Sequence, residues 1–346
     1  MIKVGIVGYG YAGRGFHAYL VGRVPDFQLT AVVARNPDRR RLAEQDHSVP
    51  TFGSLTEMLE KAVVDLVILA TPHDTHAPLA IEAMNAGKAV VTDKAMCLSA
   101  READAMIEAS KRNNVMLSVF HNRRWDWDYL TVKKVLADGL VGEPYLFETS
   151  VLGYGASRGW RGQAASSGGI LFDWGAHLLD QALQLVPGTV RSVTCDLQYR
   201  GWGKEIGSFA DLTLRFESGV LYRVHLGNQS RTRKPRWLIL GEKGSLVKNQ
   251  DPRGTQEMPM LRGNIDSAAE DPAERAKVTT DLNGLTAEIV VESVKSDWTN
   301  YYRNIADYLC GRAELAVKPE EVRRVIAVFD AAQQSAATGQ TVATAI

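Results

Sequence analysis

Two residues four positions apart, Asp173 and His177, carry side chains suited to proton transfer. They lie in a stretch, Ile170 to Val186, whose apolar residues recur as on one face of a helix, so both side chains are expected on the same face. A carboxylate there can orient or electrostatically support the imidazole, which exchanges a proton near neutral pH. The alternative is an exposed pair without a chemical role. No third ligand at a useful spacing is evident, so a metal site is not expected.

Lys94 is a further candidate because it lies just beyond Ala89 to Thr92, an apolar stretch that predicts a buried strand. Ligands of open α/β sheets bind at the carboxyl ends of the strands, so Asp93 and Lys94 are expected at that edge. The alternative is that Lys94 is an ordinary solvated surface charge.

The chain is organised around its first strand, Ile2 to Val7, and the glycine-rich turn that follows this strand. Gly8, Tyr9, Gly10 and Gly13 have the spacing of a dinucleotide-binding turn, in which the glycines permit a tight turn, a close approach of the pyrophosphate and close helix packing. A helix from Ala12 to Arg23 would direct its first amides at the phosphates. Lys94 is then expected beside the nicotinamide. The alternative is a glycine-rich turn without a ligand.

The second strand, Gln28 to Ala34, is followed by Arg35 and Asn36, and no carboxylate stands at its tip. An acidic residue there would bind the ribose 2′-hydroxyl of NAD, whereas a guanidinium suits the 2′-phosphate of NADP. We therefore expect NADP(H) to be preferred, with NAD(H) possible if Arg35 is only a surface residue. Asp38, in the next helical turn, could be mistaken for the missing acid.

Two further loops are expected at the same edge of the sheet. The strand Val64 to Ala70 ends at Thr71 and Pro72, followed by His76, which is either a cofactor contact or the first turn of the next helix. After the sixth strand, Val115 to Phe120, comes the polar and aromatic segment from His121 to Asp126. We expect this segment at a domain junction, where it could hold a hydroxylated substrate, or alternatively to be an ordinary linker.

The alternation of strands and helices predicts an α/β protein in two domains. Residues 1–119 are expected to form an N-terminal Rossmann domain with a doubly wound parallel sheet. Residues 120–346 are expected to form a C-terminal α+β domain for substrate binding and oligomerisation, with a mostly antiparallel open sheet that supports a homodimer or homotetramer. Its predicted strands are Arg191 to Gln198, Phe209 to Phe216, Val220 to Asn228 and Trp237 to Leu240. The polar stretch 248–283 is predicted to be a long excursion or lid, or a plain surface loop.

The composition of the chain argues against two classes of partner, nucleic acids and membranes. The 346 residues carry 40 basic and 40 acidic side chains, and this balance argues against a nucleic-acid partner. A basic cluster at Arg231, Arg233, Lys234 and Arg236 is read as a solvated loop. No apolar run is long enough to span a bilayer, and three widely spaced cysteines fit a reduced, cytoplasmic protein. We expect neither a membrane nor a nucleic acid among its partners.

These motifs, in this order, resemble those of the glucose–fructose oxidoreductase/inositol dehydrogenase family, Gfo/Idh/MocA, over essentially the whole chain. The similarity is greatest to its NADP-dependent scyllo-inositol dehydrogenase branch, through Leu117 to Asp126 and the helix from Asp173 to Gln181. The residues that carry it are Gly8, Gly10, Gly13, Thr71, Pro72, His76, Lys94, His121 to Trp125 and Asp173 to His177.

The resemblance implies a catalytic set of Lys94, Asp173 and His177. His177 would take the proton from a substrate hydroxyl as hydride leaves the adjacent carbon, Asp173 would orient His177, and Lys94 would polarise the same oxygen. It implies cofactor contacts from Gly8, Tyr9, Gly10, Gly13, Arg35, Asn36, Thr71, Pro72, His76, Asp93, Lys94 and Asn122. It implies substrate contacts from Asn122, Arg123, Trp160 and Arg161 in addition to the catalytic set. The family's Glu-Lys-Pro is here Asp93-Lys94-Ala95.

The expected function is NADP(H)-dependent oxidation of a secondary hydroxyl of a cyclic polyol or sugar, or reduction of the ketone. A redox-neutral enzyme that keeps its cofactor while cleaving a sugar is the first alternative, and tight retention of cofactor would distinguish it. A non-catalytic dinucleotide sensor is the second alternative, although a sensor has no need of a proton path.

Overall fold

The computed structural model describes residues 1–249 and 271–346. The described chain divides into two compact units. The first comprises Met1–Asn122 and Trp298–Ile326, and the second comprises 123–249, 271–297 and Ala327–Ile346. Of the predicted excursion 248–283, residues 250–270 lie outside the described part, and the residues that follow include a strand rather than a loop.

The first unit contains a six-stranded parallel sheet, as the sequence predicts for a doubly wound domain. Its spatial order is β3-β2-β1-β4-β5-β6, so the order reverses beside β1. The strands are nearly continuous apolar runs, because a parallel sheet with both faces covered is buried throughout. The strands are β1 (Ile2–Val7), β2 (Phe27–Val33), β3 (Thr51–Phe52), β4 (Leu66–Leu69), β5 (Ala89–Thr92) and β6 (Leu117–Val119).

Side-chain caps start three of the helices of this unit. The side chains of Asn36, Ser54 and Ser99 accept hydrogen bonds from first-turn amides of the helices that begin at Pro37, Leu55 and Ala100. The segment after β1 is π-helical over Gly13–Ala18 before its last α-helical turn. The helices are α1 (Tyr19–Val21), α2 (Pro37–His47), α3 (Leu55–Lys61), α4 (His76–Asn85) and α5 (Ala100–Asn113).

The return of the chain to the first unit at Trp298 was not anticipated by the division into 1–119 and 120–346. Helix α10 (Thr299–Leu309) explains it, because its apolar face carries buried aromatic residues. The ring of Trp298 lies 5.7 Å from that of Phe16, and the ring of Tyr302 lies 6.0 Å from that of Phe27. These contacts hold the segment against the first unit. Helix α11 (Pro319–Thr338) follows and extends into the second unit.

The second unit contains a nine-stranded sheet in the order β14-β13-β12-β11-β7-β10-β9-β8-β15. All its pairs are antiparallel except β10 with β7, which confirms a mostly antiparallel sheet. The four predicted strands are present within one or two residues. The strands are β7 (Pro144–Leu152), β8 (Val190–Gln198), β9 (Phe209–Phe216), β10 (Leu221–Gly227), β11 (Pro235–Gly241), β12 (Gly244–Asn249), β13 (Lys277–Leu282), β14 (Leu285–Val290) and β15 (Val342–Ala343).

Helices of the second unit are α6 (Trp127–Ala137), α7 (Ala164–Ser167), α8 (Ile170–Asp173) and α9 (Gly175–Leu185). The predicted single helix from Ile170 to Val186 is therefore divided at Trp174. Gly175 allows this piece to pack closely, because a Cβ there would lie 3.2 Å from the Phe329 ring and 3.3 Å from Leu226. The rings of Phe172 and Phe329 stack at 4.3 Å. Packing on β10 and α11 thus fixes the segment that carries Asp173 and His177.

Candidate active site

The glycine-rich turn after β1 can be made only with glycine at its first and last positions. Gly8 has φ +98°, and a Cβ on it would lie 2.2 Å from the carbonyl oxygen of Ala70. A Cβ on Gly13 would lie 1.9 Å from the carbonyl oxygen of Gly8. Gly10 differs, because the nearest atom to its missing Cβ is the Arg39 guanidinium at 3.2 Å. The Arg39 guanidinium therefore lies against the turn at Gly10, where a larger residue would be crowded.

Tyr9 directs its side chain into the unit. The residue is 2% exposed, and its hydroxyl donates to Asp46 Oδ2 at 2.8 Å. Burial, the hydrogen bond to Asp46 and the charge of Asp46 raise the pKa of Tyr9 above its usual value. Arg14 also binds this carboxylate, with Nε 2.7 Å from Oδ2. Only the backbone of Tyr9 is therefore available to a cofactor, and its side chain anchors the turn to the end of α2.

Several arginines follow the end of β2, and their side chains differ in what they contact. Arg40 donates to the carbonyl oxygens of Ala34 and Arg35 at 2.8 and 3.1 Å, and Arg41 pairs with the exposed Asp38. Asp38, which could be mistaken for an NAD-selecting acid, is thus held by its own helix.

Arg35 and Arg39 are both exposed, and they flank the position where a 2′-phosphate is expected. The side-chain oxygen of Asn36 accepts hydrogen bonds from the backbone N–H groups of Asp38 and Arg39, at 2.7 and 3.4 Å, so Asn36 builds the start of α2. Sequence reasoning missed Arg39. Its position in the first turn of α2 after the β2 tip is the signal that could have identified it.

The loop after β4 is joined to the loop after β5 through His76. This imidazole is fully buried, with Nδ1 2.8 Å from the carbonyl oxygen of Ala95 and Nε2 3.0 Å from that of Thr71. Burial lowers the pKa of His76, against the charge of Asp93 and the two carbonyls. The hydroxyl of Thr75 donates within the loop to Thr71 and Pro72. These contacts favour an anchoring role for His76, while Thr71 and Pro72 form the edge of the sheet.

The end of β5 places Asp93 and Lys94 at that edge, as predicted. The Lys94 backbone N–H donates to Asp93 Oδ1 at 2.7 Å, and Asp93 Oδ2 lies 3.4 Å from His17 Nε2. Asn122, at the carboxyl end of β6, is buried at 5% exposure. The first unit therefore brings its predicted cofactor residues to one edge of the parallel sheet.

In the second unit, Asp173 and His177 lie on either side of the break at Trp174. Asp173 is the last residue of α8, and its side chain is 39% exposed. His177 is in the first turn of α9, is 6% exposed, and donates its backbone N–H to the Trp174 carbonyl at 3.1 Å. Its ring lies 5.9 Å from the Trp174 ring, edge to face. The exposed carboxylate and the buried imidazole thus share one short segment.

The predicted substrate residues of this unit gather around that segment. Arg161 Nε lies 3.8 Å from Asp173 Oδ1, and the guanidinium of Arg161 lies 4.6 Å from the centre of the Trp160 ring. The guanidinium of Arg123 lies over Trp174 at 4.3 Å. Cations and aromatic rings beside a carboxylate and an imidazole are suited to binding a polar, hydroxylated molecule.

A buried polar network behind α9 was not identified from the sequence. Asp180 forms a two-pronged ion pair with Arg124, at 2.8 and 2.7 Å. Gln181 donates to the Arg123 carbonyl at 3.0 Å and accepts from Arg236 at 2.8 Å. The prediction that Arg236 belongs to a solvated loop is wrong, because the side chain points inward from β11 and the residue is 7% exposed. Alternation along β11 could not have shown it, because a bulge between Pro235 and Trp237 breaks the register at Arg236.

Loss of the Arg124 to Asp180 pair should destabilise the second unit. Replacing Arg124 with alanine removes the guanidinium that binds a carboxylate whose side chain is 3% exposed, so we expect the free energy of unfolding to fall by about 3 kcal/mol or more. Chemical denaturation measures it. The control is Arg191→Ala, whose ion pair with Glu217 is solvent-exposed, and there the expected change is below about 1 kcal/mol. Equal losses of unfolding free energy in the Arg124 and Arg191 variants would contradict a special stabilising role for the buried ion pair.

Two protein-family models match consecutive parts of the chain. Residues 2–121 match the oxidoreductase family with an NAD-binding Rossmann fold, and residues 129–247 match the GFO/IDH/MocA C-terminal domain. The scyllo-inositol 2-dehydrogenase (NADP(+)) IolW of Bacillus subtilis (strain 168) is 30% identical, over 99% of this chain and 95% of that protein. The chain belongs to the Gfo/Idh/MocA oxidoreductase family.

Other members are similar over the same extent. The uncharacterized oxidoreductase YdgJ of Escherichia coli (strain K12) is 31% identical, over 97% of this chain and 96% of that protein. The solved structure of YvaA from Bacillus subtilis has a TM-score of 0.87 at 29% identity, covering 99% of this chain and 100% of that one. The protein is therefore an NAD(P)-dependent oxidoreductase.

The described residues of this Gfo/Idh/MocA protein fit a dinucleotide. Gly8 and Gly13 permit the tight turn, and the Arg39 guanidinium lies beside Gly10, where a cation suits a phosphate. At the position of the family's proline, Ala95 is preceded by a cis peptide bond. Within the described ranges, no helix is long and apolar enough to cross a membrane, and no cluster of three His, Cys, Asp or Glu side chains could hold a metal ion.

Proposed function

We propose that the protein is an NADP(H)-dependent dehydrogenase of a cyclic polyol or sugar, similar in activity to scyllo-inositol dehydrogenase. The observation that carries the proposal is the group around Trp174 in the second unit. There an exposed carboxylate, a buried imidazole and two guanidinium groups lie on or beside one short segment. The similarity to IolW, named as an NADP(+)-dependent scyllo-inositol 2-dehydrogenase, supports the substrate class.

In this proposal His177 accepts the proton of a substrate hydroxyl, and its burial keeps bulk water away from the ring. Asp173 orients and electrostatically supports His177. Lys94 donates a hydrogen bond to the same oxygen and stabilises its developing negative charge. Bound NADP⁺ supplies the acceptor for the hydride that leaves the carbinol carbon. In the reverse direction, His177 returns the proton to the ketone oxygen.

The substrate residues follow from the same group. Arg123, Trp160 and Arg161 would contact the other hydroxyls from the second unit, and Asn122 would act from the end of β6. The cofactor would be held by the backbone at Gly8, Tyr9, Gly10 and Gly13, and by Thr71, Pro72, Asp93 and Lys94. In this proposal His76 and Asn36 act mainly by anchoring their loops.

The assay that tests the proposal is cofactor reduction with scyllo-inositol, myo-inositol, glucose and xylose, each with NADP⁺ and NAD⁺. An inositol with NADP⁺ is expected to give the fastest net turnover. Cofactor that stays bound through purification, with no net reduction by any of the polyols, would instead favour the redox-neutral enzyme. Dinucleotide binding without turnover or retention would favour the sensor. Assembly as a homodimer or homotetramer and a cytoplasmic location stay predictions.

The preference for NADP should depend on Arg39 and Arg35. Charged hydrogen bonds to phosphate contribute about 1.5–3 kcal/mol each, so Arg39→Ala should weaken NADPH binding by roughly 10- to 100-fold and change NADH binding less than about twofold. Arg35→Asp should shift the preference towards NAD. Dissociation constants from NAD(P)H fluorescence measure both effects.

A control for the cofactor variants lies on the same helix. Arg41→Ala removes an exposed guanidinium that already pairs with Asp38, and it should leave both dissociation constants unchanged. A similar loss of NADPH affinity in the Arg39 and Arg41 variants would mean that the loss reflects the general surface charge and not a specific contact of Arg39. Unchanged NADPH affinity in Arg39→Ala and Arg35→Asp would remove the 2′-phosphate assignment.

A further inference from the structure

A polar chain in the first unit, buried at His17 and Tyr302, leads to Asp93, which contacts the Lys94 backbone. It consists of Tyr302, His17 and Asp93. His17 lies in the π-helical segment and is completely buried. Tyr302, on α10, is also completely buried. The proposed function assigns no step to His17 or Tyr302, so the reason for placing these polar groups in an aromatic core needs an explanation.

Asp93 is the link of this chain that touches Lys94. One carboxylate oxygen accepts the Lys94 backbone N–H at 2.7 Å, and the other lies 3.4 Å from His17 Nε2. Burial opposes the charge on Asp93, but the contact with His17, reinforced by the charge of Lys94, holds the pKa of Asp93 well below its usual range. The carboxylate therefore stays ionised beside the proposed catalytic lysine, and it fixes the backbone from which that side chain departs.

At the far end of the chain, the Tyr302 hydroxyl contacts the other ring nitrogen of His17. Nδ1 of His17 lies 2.6 Å from the Tyr302 hydroxyl. Burial, with the neighbouring Tyr301 and the charge of Asp93, raises the pKa of Tyr302 well above its usual value, so the phenol stays protonated and can donate to Nδ1. An imidazole that accepts at Nδ1 carries its proton on Nε2, the nitrogen that faces Asp93. The ring is also held in place by Phe120, at 4.6 Å between ring centres.

We propose that His17 is a positioning residue for Lys94, that it acts through Asp93, and that Tyr302 sets the side of the imidazole that carries the proton. The inference rests on the proposed function, in which Lys94 contacts the reacting oxygen. A carboxylate held in one orientation keeps the Lys94 backbone in one arrangement and keeps negative charge beside its ammonium. The charged and titratable groups that face Asp93 are His17, Lys94, His76 from α4 and Tyr302 from α10.

Adjacent tyrosines on α10 provide a matched pair of variants. Tyr302→Phe removes the hydroxyl that contacts His17, whereas Tyr301→Phe removes a buried hydroxyl that donates to Ser118 at 3.0 Å. Both variants lose one buried hydrogen bond, so a purely structural effect should be similar in the two. We expect kcat to fall roughly 3- to 10-fold in Tyr302→Phe only, with NADPH affinity preserved, because small misplacements of a reacting group lower rates steeply.

Two substitutions of His17 test the link itself. His17→Leu removes the contact with Asp93 and should lower kcat roughly 10- to 30-fold with little change in the dissociation constant of NADPH. His17→Gln keeps an amide N–H that can face Asp93, and it should recover most of that loss. Equal kcat losses in the Leu and Gln variants, together with equal losses in the two tyrosine variants, would overturn the positioning role.

The titration of Asp93 gives a readout independent of activity. Its ¹³C carboxyl signal, assigned by its absence in Asp93→Asn, should not titrate above about pH 4 in the wild type. In His17→Leu its midpoint should rise above the ordinary value of about 3.9, because burial is then no longer offset by His17. An unchanged titration would overturn the inference whatever the activities are. Wild-type protein inactive with every polyol would overturn the proposed function instead, and a shifted titration would still support the His17 to Asp93 link.

Discussion

Replacing His177 with alanine is expected to lower kcat by about 10³-fold while leaving the NADPH dissociation constant within about twofold, because general acid–base catalysis contributes 10²- to 10⁴-fold. The imidazole is the proposed acceptor of the hydroxyl proton, and its burial in the first turn of α9 means that water cannot easily replace it. Steady-state kinetics with the preferred polyol, together with fluorescence titration of NADPH, separate the loss of chemistry from a loss of cofactor.

Another buried histidine, which lies beside a carboxylate, serves as the control for this experiment. His225, on β10, is 5% exposed, and its Nε2 lies 3.6 Å from Asp211 Oδ1. His225→Ala therefore removes a similar buried imidazole from a place to which no catalytic role is assigned, and its kcat should stay near the wild-type value. Wild-type kcat in His177→Ala, or an equal loss in both variants, would remove His177 from the catalytic set.

Lys94→Ala should lower kcat by about 10²- to 10³-fold, the loss typical of removing one donor that stabilises a developing oxyanion. Lys88 provides the control, because it directly precedes β5, whereas Lys94 lies two residues beyond the end of that strand. Only the carboxyl end of a parallel strand is expected to face the ligand, so Lys88→Ala should leave kcat within about twofold. A loss in both variants would point to strand stability rather than chemistry.

The double variant Lys94→Ala/His177→Ala tests whether the two residues act on one oxygen. Groups that work on the same step give strongly non-additive losses, so the double variant should be little slower than the His177 variant alone. Losses that multiply would mean that the lysine and the histidine contribute independently, and they would contradict the proposed shared oxygen.

Sequence reasoning succeeded where local chemistry decides the structure. Gly8 and Gly13 lie where a Cβ would collide with backbone oxygens, and this steric rule can be read from spacing alone. The β5 strand and Lys94 at its end follow from an apolar run with a polar end. The two sheets follow from apolar runs in the first half and alternating strands in the second.

What the sequence did not reveal depends on contacts between residues far apart in the chain. Arg236 reads as a loop cation until β11 pairs with β7 and its side chain meets Gln181. His17 becomes notable only when Tyr302, which follows it by 285 positions, lies against it. Spacing rules describe neighbours in sequence, so they cannot find such pairs. The predicted helix is divided at Trp174. We attribute this break to the close packing of Gly175 against β10 and α11 rather than to helix propensity.

We propose that hydride passes from a secondary carbinol carbon to NADP⁺, and deuterium labelling reports this transfer directly. The polyol that gives the fastest turnover, deuterated at its ring carbons, should yield NADPH carrying one deuterium at the nicotinamide C4 for each ketone formed, as measured by mass spectrometry. Deuterium returned to a sugar product without net NADPH would contradict a dehydrogenase and favour the redox-neutral enzyme. Absence of labelled NADPH with every polyol, despite intact NADPH binding, would contradict the proposed polyol dehydrogenase activity.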